Sequence, residues 1–351
     1  MTKKHVLLIM LTVVLLTSGC TISFGGGQAV NDGGGIYKSI NKGEIWTQKT
    51  LLTVQGRPGT IGALNIASMA LDPSDSRALY IGSVDNGLFY TYDGAESWQA
   101  VNTLPKATIK AAAVDPQSKC VIYASLGNKA YKSTDCSRNW TQIYFDSSLT
   151  VEITAIAVDF YNSANIYIGT SKGEIIKSTD RGGTWRTLNR FNNSLQKIIL
   201  NPTDSRTIMA ATLDKGLFRS IDSGETWEDL KTKLKAFPDY NKFRDLAASV
   251  SEPSTYILAT KTGLLRTINN GDDWTKINLI TSNDRTLINS LAINPKESKE
   301  IYYVTNTTFY RSLDGGVNWA TKKLPTARAG WKLLVSPDDG NIIYLGVRAV
   351  K

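Results

Sequence analysis

An eight-residue pattern, Ser/Thr-x-Asp-x-Gly-x-x-Trp, occurs seven times along this chain, and its spacing restricts the fold more than any other feature. The copies are SINKGEIW, TYDGAESW, STDCSRNW, STDRGGTW, SIDSGETW, TINNGDDW and SLDGGVNW. Their tryptophans, Trp46, Trp98, Trp140, Trp185, Trp227, Trp274 and Trp319, stand 52, 42, 45, 42, 47 and 45 residues apart. A period in the forties with strand-like content between the copies is the mark of a β-propeller or a similar repeat array.

A second unit keeps phase with the first. An apolar run, a polar turn often holding Asp-Pro or Asn-Pro, and another apolar run precede each later box, as in SMALDPSDSRALYIGS and SLAINPKESKEIYYVT. The chain opens with a box that has no strand pair before it, and closes with a strand pair (331–346) that has no box after it. Joined, the two halves make one blade. The expectation is an all-β fold: a single seven-bladed β-propeller over residues 35–351. Strands A and B of its closing blade come from the C-terminus, and strands C and D from the N-terminus. Such an interlock removes the free edges of an open array. The length and the 42% hydrophobic content suffice for one large all-β domain.

Each box falls between two strands and reads as a hairpin turn. A carboxylate such as Asp222 can accept backbone N–H bonds inside the turn. Gly224 supplies a positive φ, and the tryptophan buries a large area. Asn41 and Asn269 replace the carboxylate and Ala95 and Ser137 the glycine. A turn tolerates such changes and a catalytic carboxylate does not. The pattern resembles the Asp-box (bacterial neuraminidase) repeat of sialidases, sortilin-type receptors, propeller xyloglucanases and photosystem II assembly/stability-factor lipoproteins. The likeness extends from residue 35 to about 346. It implies that Asp93, Asp135, Asp180, Asp222 and Asp314, with the seven tryptophans, are scaffold on the rim opposite the ligand face. Function varies among those families, so the resemblance fixes fold more than activity.

Residues 1–19 read as a signal peptide: Lys3 and Lys4 precede an apolar run too short to span a bilayer, and small residues follow. TSGC is similar to a bacterial lipobox, which implies cleavage before Cys20, lipidation of its thiol and a location on a bacterial membrane facing the periplasm or exterior. Glycine-rich residues 20–34 then form a flexible tether. The single histidine, His5, lies in the signal, so the mature chain has no imidazole for triads or metal sites. The formal charge of +9 falls to +7 without Lys3 and Lys4. A basic protein favours acidic partners. No metal, cofactor or nucleic acid is implied. Cys120 and Cys136 fall on adjacent strand ends of one blade, where a disulfide is expected in an exported protein. It would close a loop worth about 3 kcal/mol.

Two long D–A connections are candidate partner-binding segments. One carries Arg57. The other, EDLKTKLKAFPDYNKFRD, interleaves Lys231, Lys233, Lys235, Lys242 and Arg244 with Phe237, Tyr240 and Phe243. Cations with aromatics suit protein or glycan contacts; the alternative is a solvated loop or short helix whose aromatics pack on the blades. A cation also recurs just before the box (Lys38, Lys132, Lys177, Arg219, Arg266, Arg311), with Tyr90 as the exception. It reads as a stem packed between blades rather than a basic ring. The Arg-Ile-Pro signature of sialidases is absent, and the blade number is seven rather than their six. YIGSVDNGLF is similar to the xyloglucanase strand that carries a catalytic Asp, which points to Asp85, and Asp214 occupies the equivalent place in ATLDKGLF. Paired carboxylates could hydrolyse a glycoside, but those enzymes work in a cleft between two propellers. The expected role is therefore a membrane-anchored, non-catalytic scaffold that binds a protein. Glycan binding or glycoside hydrolysis is the alternative.

Overall fold

The computed structural model describes residues 32–54, 57–281 and 287–350. The signal segment, Cys20 and the tether up to residue 31 lie outside the described residues. Seven four-stranded antiparallel sheets follow one another around a ring, with strands in the order A-B-C-D from the centre outward. The A strands of neighbouring blades abut and enclose a central channel.

The closing blade is shared as the phase of the repeats requires. Strand C, Ile36–Ser39, pairs antiparallel with strand B, Ile343–Arg348, in the register Ile36↔Gly346 to Ser39↔Ile343. Strand A is Ala329–Val335 and strand D is Thr47–Lys49.

Position across the blade explains the sequence pattern. Each B strand is covered on both faces by neighbouring blades. It therefore reads as a continuous apolar run, as in Ile166–Thr170 and Tyr256–Thr260, every residue of which is buried. D strands form the outer wall and are polar; Ala320–Lys323 is exposed throughout. The core is accordingly divided among the blade interfaces. Tyr256, Leu258 and Trp274 of blade five meet Met209 and Leu217 of blade four, and Ile36 and Tyr344 of the closing blade meet Leu79, Phe89 and Trp98 of blade one. Gly82 shows how closely blades approach. A Cβ there would lie 2.3 Å from the Ile109 carbonyl oxygen of the next blade.

The boxes are built alike. The Ser220 hydroxyl donates to Asp222 Oδ1 at 2.7 Å and accepts the Gly224 N–H at 2.8 Å. Asp222 Oδ1 accepts the Thr226 N–H at 2.9 Å, and Oδ2 accepts the Thr226 hydroxyl at 2.5 Å. Asn41 and Asn269 use their amide oxygen in the same way, accepting the N–H groups of Ile45 and Asp273 at 2.9 and 3.0 Å. The carboxylate thus serves as an acceptor, a task an amide can perform. The fourth and fifth box residues both have positive φ, as at Ser223 (62°) and Gly224 (92°). Ala95 and Ser137 hold the fifth position at 73° and 69°, where a side chain is strained.

Five of the seven blade junctions show the same clasp on the carbonyl of that fourth residue in the next box. Lys38 donates to Gly94, Lys132 to Arg181, Lys177 to Ser223, Arg219 to Asn270 and Arg311 to Lys42. Where blade one meets blade two, Tyr92, hydrogen-bonded to Tyr80, donates to the Cys136 carbonyl instead, and Arg266 pairs with Glu252 at 3.7 Å. Five of the cations before the box therefore hold blades together. Cys120 and Cys136 are joined as a disulfide between the start of strand B and the box of blade two.

Box carboxylates also predict an acid response. Donors from Thr184, Thr226 and Asn318 hold Asp180, Asp222 and Asp314 at about 2, below the ordinary 3.8. A depressed carboxylate stabilises the fold above its unfolded pKa, and the contribution is lost as pH falls through the folded value. The urea midpoint should fall between about pH 4 and pH 2. A variant with Asp180, Asp222 and Asp314 all changed to Asn should lose less of its midpoint between pH 7 and pH 3. An unchanged loss would show that other groups govern acid unfolding.

Candidate functional site

The central channel opens on the face that carries the B–C turns and D–A connections. A β-bulge recurs in the A strands and aims side chains into it. Pairing with strand B skips between Ile66 and Ser68, Ile153 and Ala155, Leu195 and Lys197, Phe243 and Asp245, and Gly330 and Lys332. The skipped residues, Ala67, Thr154, Gln196, Arg244 and Trp331, all line the channel or its mouth. Bulges commonly re-aim a side chain in this way. The mouth, about 560 Å³, also holds Lys110, Lys332 and Arg348, and leads to an inner chamber of about 250 Å³.

One buried carboxylate organises the chamber. Asp245 accepts the Lys197 ammonium at 2.6 Å, the Ser290 hydroxyl at 3.0 Å and the Leu291 N–H at 2.9 Å. Burial would raise its pKa, but Lys197 and Lys332 outweigh burial and hold it below the ordinary carboxylate range. Burial lowers the Lys332 pKa, helped by Lys197 and opposed by Asp245. At the mouth Lys110 pairs with Glu152 at 2.5 Å. Arg348 lies over the Trp331 ring, 4.8 Å from its centre.

Asp85 and Asp214 sit in the B–C turns of blades one and four, with two blades between them. Asp85 has a φ of 60° and accepts the Thr108 hydroxyl at 2.7 Å. Asp214 pairs with Lys242 at 3.0 Å. The structure does not bring them together as an acid and base flanking one bond, because equivalent turns of a propeller are spread around its axis.

Residues 96–348 match the family described as the DUF6242 beta propeller domain. The chain belongs to this family. A Paenibacillus xyloglucanase is 25% identical to this DUF6242 propeller over 259 residues, 60% of the chain and 24% of the enzyme. The xyloglucanase Xgh74A of Acetivibrio thermocellus is 22% identical over 56% of the chain and 29% of the enzyme. The chain thus spans about a quarter of the length of these curated relatives. Among solved structures, a GH74 xyloglucanase from Xanthomonas campestris superposes with a TM-score of 0.68 at 16% identity, covering 82% of this chain and 51% of that one. YCF48 bound to D1 peptide superposes with a TM-score of 0.63 at 17% identity, covering 82% and 93%. These likenesses show the fold.

The long connections of the DUF6242 propeller differ from a simple display of cations and aromatics. In the second, Lys231–Leu234 forms a helical turn with Lys231, Lys233 and Lys235 exposed. Phe237 and Tyr240 pack against the cluster between blades four and five, and Phe243 is buried in it. An apolar ring has more to gain under the blades than in water. Phe243 therefore anchors the loop, and Phe237 and Tyr240 stay partly exposed beside it. Lys242 is taken by Asp214, whereas Arg244 stays exposed in the channel. The first connection folds as a hairpin, Leu51–Val54 with Arg57–Thr60, that hydrogen-bonds to Trp98 on the outer part of blade one. The Arg57 side chain lies outside the described residues.

Lys197, Asp245 and Lys332 are not among the residues the sequence reading selects. A signal for them exists. Aligned by strand, they share one repeat position, each placing a charge directly before an apolar run.

Proposed function

We propose that this chain is a non-catalytic scaffold that binds a protein partner on the face carrying the channel mouth, and that a lipid on Cys20 holds it at a bacterial membrane. The repeats are read as Asp-box turns, consistent with their use as acceptors inside a hairpin. The observation that carries the reading is the separation of Asp85 from Asp214, each held by its own neighbour, beside a mouth rich in cations. A propeller face of this kind offers a rigid platform. YCF48, whose structure holds a D1 peptide, is covered over most of its length, while the xyloglucanase structure is covered over half. Glycan binding or glycoside hydrolysis is the second reading, favoured by the curated xyloglucanase relatives.

Crosslinking and mass spectrometry of the protein taken from its native membrane separates them. A reproducible partner crosslinked at Lys110, Lys242 or the Lys231–Lys235 turn is the expected result. Release of reducing sugar from xyloglucan, lost in Asp85→Asn, would replace the scaffold reading with a hydrolase. Retention on polysaccharide without turnover would point to a glycan-binding protein.

A further inference from the structure

The channel holds more cations than its own acids satisfy. Its lining supplies Lys110, Lys197, Arg244, Lys332 and Arg348 against Glu152 and Asp245. Glu152 is engaged by Lys110, and Asp245 by Lys197 and three further donors. Among the described residues Lys332 makes no side-chain hydrogen bond and no close ion pair, although it stands in the channel on a bulged strand shared by the mouth and the inner chamber. Arg244 likewise has no ion-pair partner there. Lys332 is only partly exposed, and an ammonium partly shielded from water without a close acceptor is stabilised when an anion completes it. Rim acids do not fill the role, since Asp85 bonds to Thr108 and Asp214 to Lys242.

We propose that the channel is a carboxylate-binding site. An acidic peptide segment of the partner reaches in through the mouth and places a carboxylate on Lys332. This deepens the protein-binding reading and rests on it. Two features favour a peptide over an acidic sugar. Trp331, the aromatic ring in the mouth, is covered by the Arg348 guanidinium, so the stacking platform a pyranose would use is occupied. The lining continues past Lys332 to Arg244 and Lys197, so an extended segment entering at the mouth meets further cations along its length. Thr154 and Gln196 at the mouth supply neutral polar groups for the peptide backbone.

Titration calorimetry with pentaglutamate, pentaglutamine and trigalacturonate tests the site. Pentaglutamate should bind one to one, more weakly as salt rises, and pentaglutamine should not bind. Lys332→Gln should weaken pentaglutamate by at least about ten-fold, and Lys323→Gln on the exposed outer strand of blade six by less than about two-fold. If Lys332→Gln does not fold, Arg348→Gln at the mouth carries the test, with a loss of about three-fold or more expected. Pentaglutamate binding that ignores both channel variants, absence of saturable binding, or tighter binding of trigalacturonate would overturn the proposal. A native partner captured equally by wild type and Lys332→Gln would also remove the channel site while leaving the scaffold reading standing.

Discussion

A chain that begins at Thr50 should fail to fold, whereas one that begins at Asp32 should fold normally. The first lacks strands C and D of the closing blade. Strand B of that blade, Ile343–Arg348, would then present an unpaired edge, losing the ladder with Ile36–Ser39. Ile36 is fully buried and Tyr37 nearly so, and each belongs to a different blade interface, to blade one and to blade six. Losing these side chains removes roughly 1.5–3 kcal/mol each. The half-buried Trp46 packs on Phe309 and is lost as well. Together with the opened edge this is comparable to the whole stability of a typical domain, about 5–15 kcal/mol. The two clasps at this blade go too: Lys38 to Gly94, and Arg311 to Lys42. Thermal unfolding by circular dichroism, with limited proteolysis, is the measurement. The truncated chain should show no cooperative transition and rapid cleavage. A transition within a few degrees of the longer chain would mean that the ring closes without its interlock.

The part of this result that depends on closure was legible in the sequence, because the phase of two repeats is a counting matter. A box without a strand pair at one end and a strand pair without a box at the other leave one consistent join. The boxes were legible for a related reason. Their main requirements are local: hydroxyl and carboxylate bond within the same turn, as do the ring N–H groups of Trp140, Trp185, Trp227 and Trp274, while those of Trp98 and Trp319 reach the preceding blade. The channel was not legible in the same way. Lys197, Asp245 and Lys332 are remote in sequence and meet only because seven A strands converge on one axis. Each looks like a stray charge in an apolar run until the bulge before it is known, and a bulge turns a side chain that alternation would have placed elsewhere. The loop 237–243 left two readings open for the opposite reason. Composition shows cations and aromatics interleaved but cannot say that the rings turn under the blades while the lysines turn out.

Asp245→Ala should cost the fold about 3 kcal/mol, chiefly because two buried donors lose their acceptor at about 1–3 kcal/mol each, while the 37% exposed Lys197 falls short of a fully buried ion pair. The aspartate is 4% exposed, and its removal leaves the Lys197 ammonium without its partner at 2.6 Å and two donors of blade six, the Ser290 hydroxyl and the Leu291 N–H, without their acceptor. Those bonds tie blade five to blades four and six across the channel, so the loss falls on two junctions at once. Asp245→Asn should cost less, since an amide oxygen can still accept from Ser290 or Leu291, as Asn41 and Asn269 accept in their boxes. The decisive comparison is Asp245→Ala combined with Lys197→Met. If the penalty is chiefly an orphaned charge, the second substitution should recover part of the first, and the two changes will be strongly non-additive in urea unfolding. Additive losses would instead assign the cost to the hydrogen bonds with blade six. In either case Lys332 gains repulsion when Asp245 is removed, because Lys197 then faces it without an intervening negative charge. Added pentaglutamate should therefore stabilise Asp245→Ala more than it stabilises the wild type, since a bound carboxylate replaces the missing one.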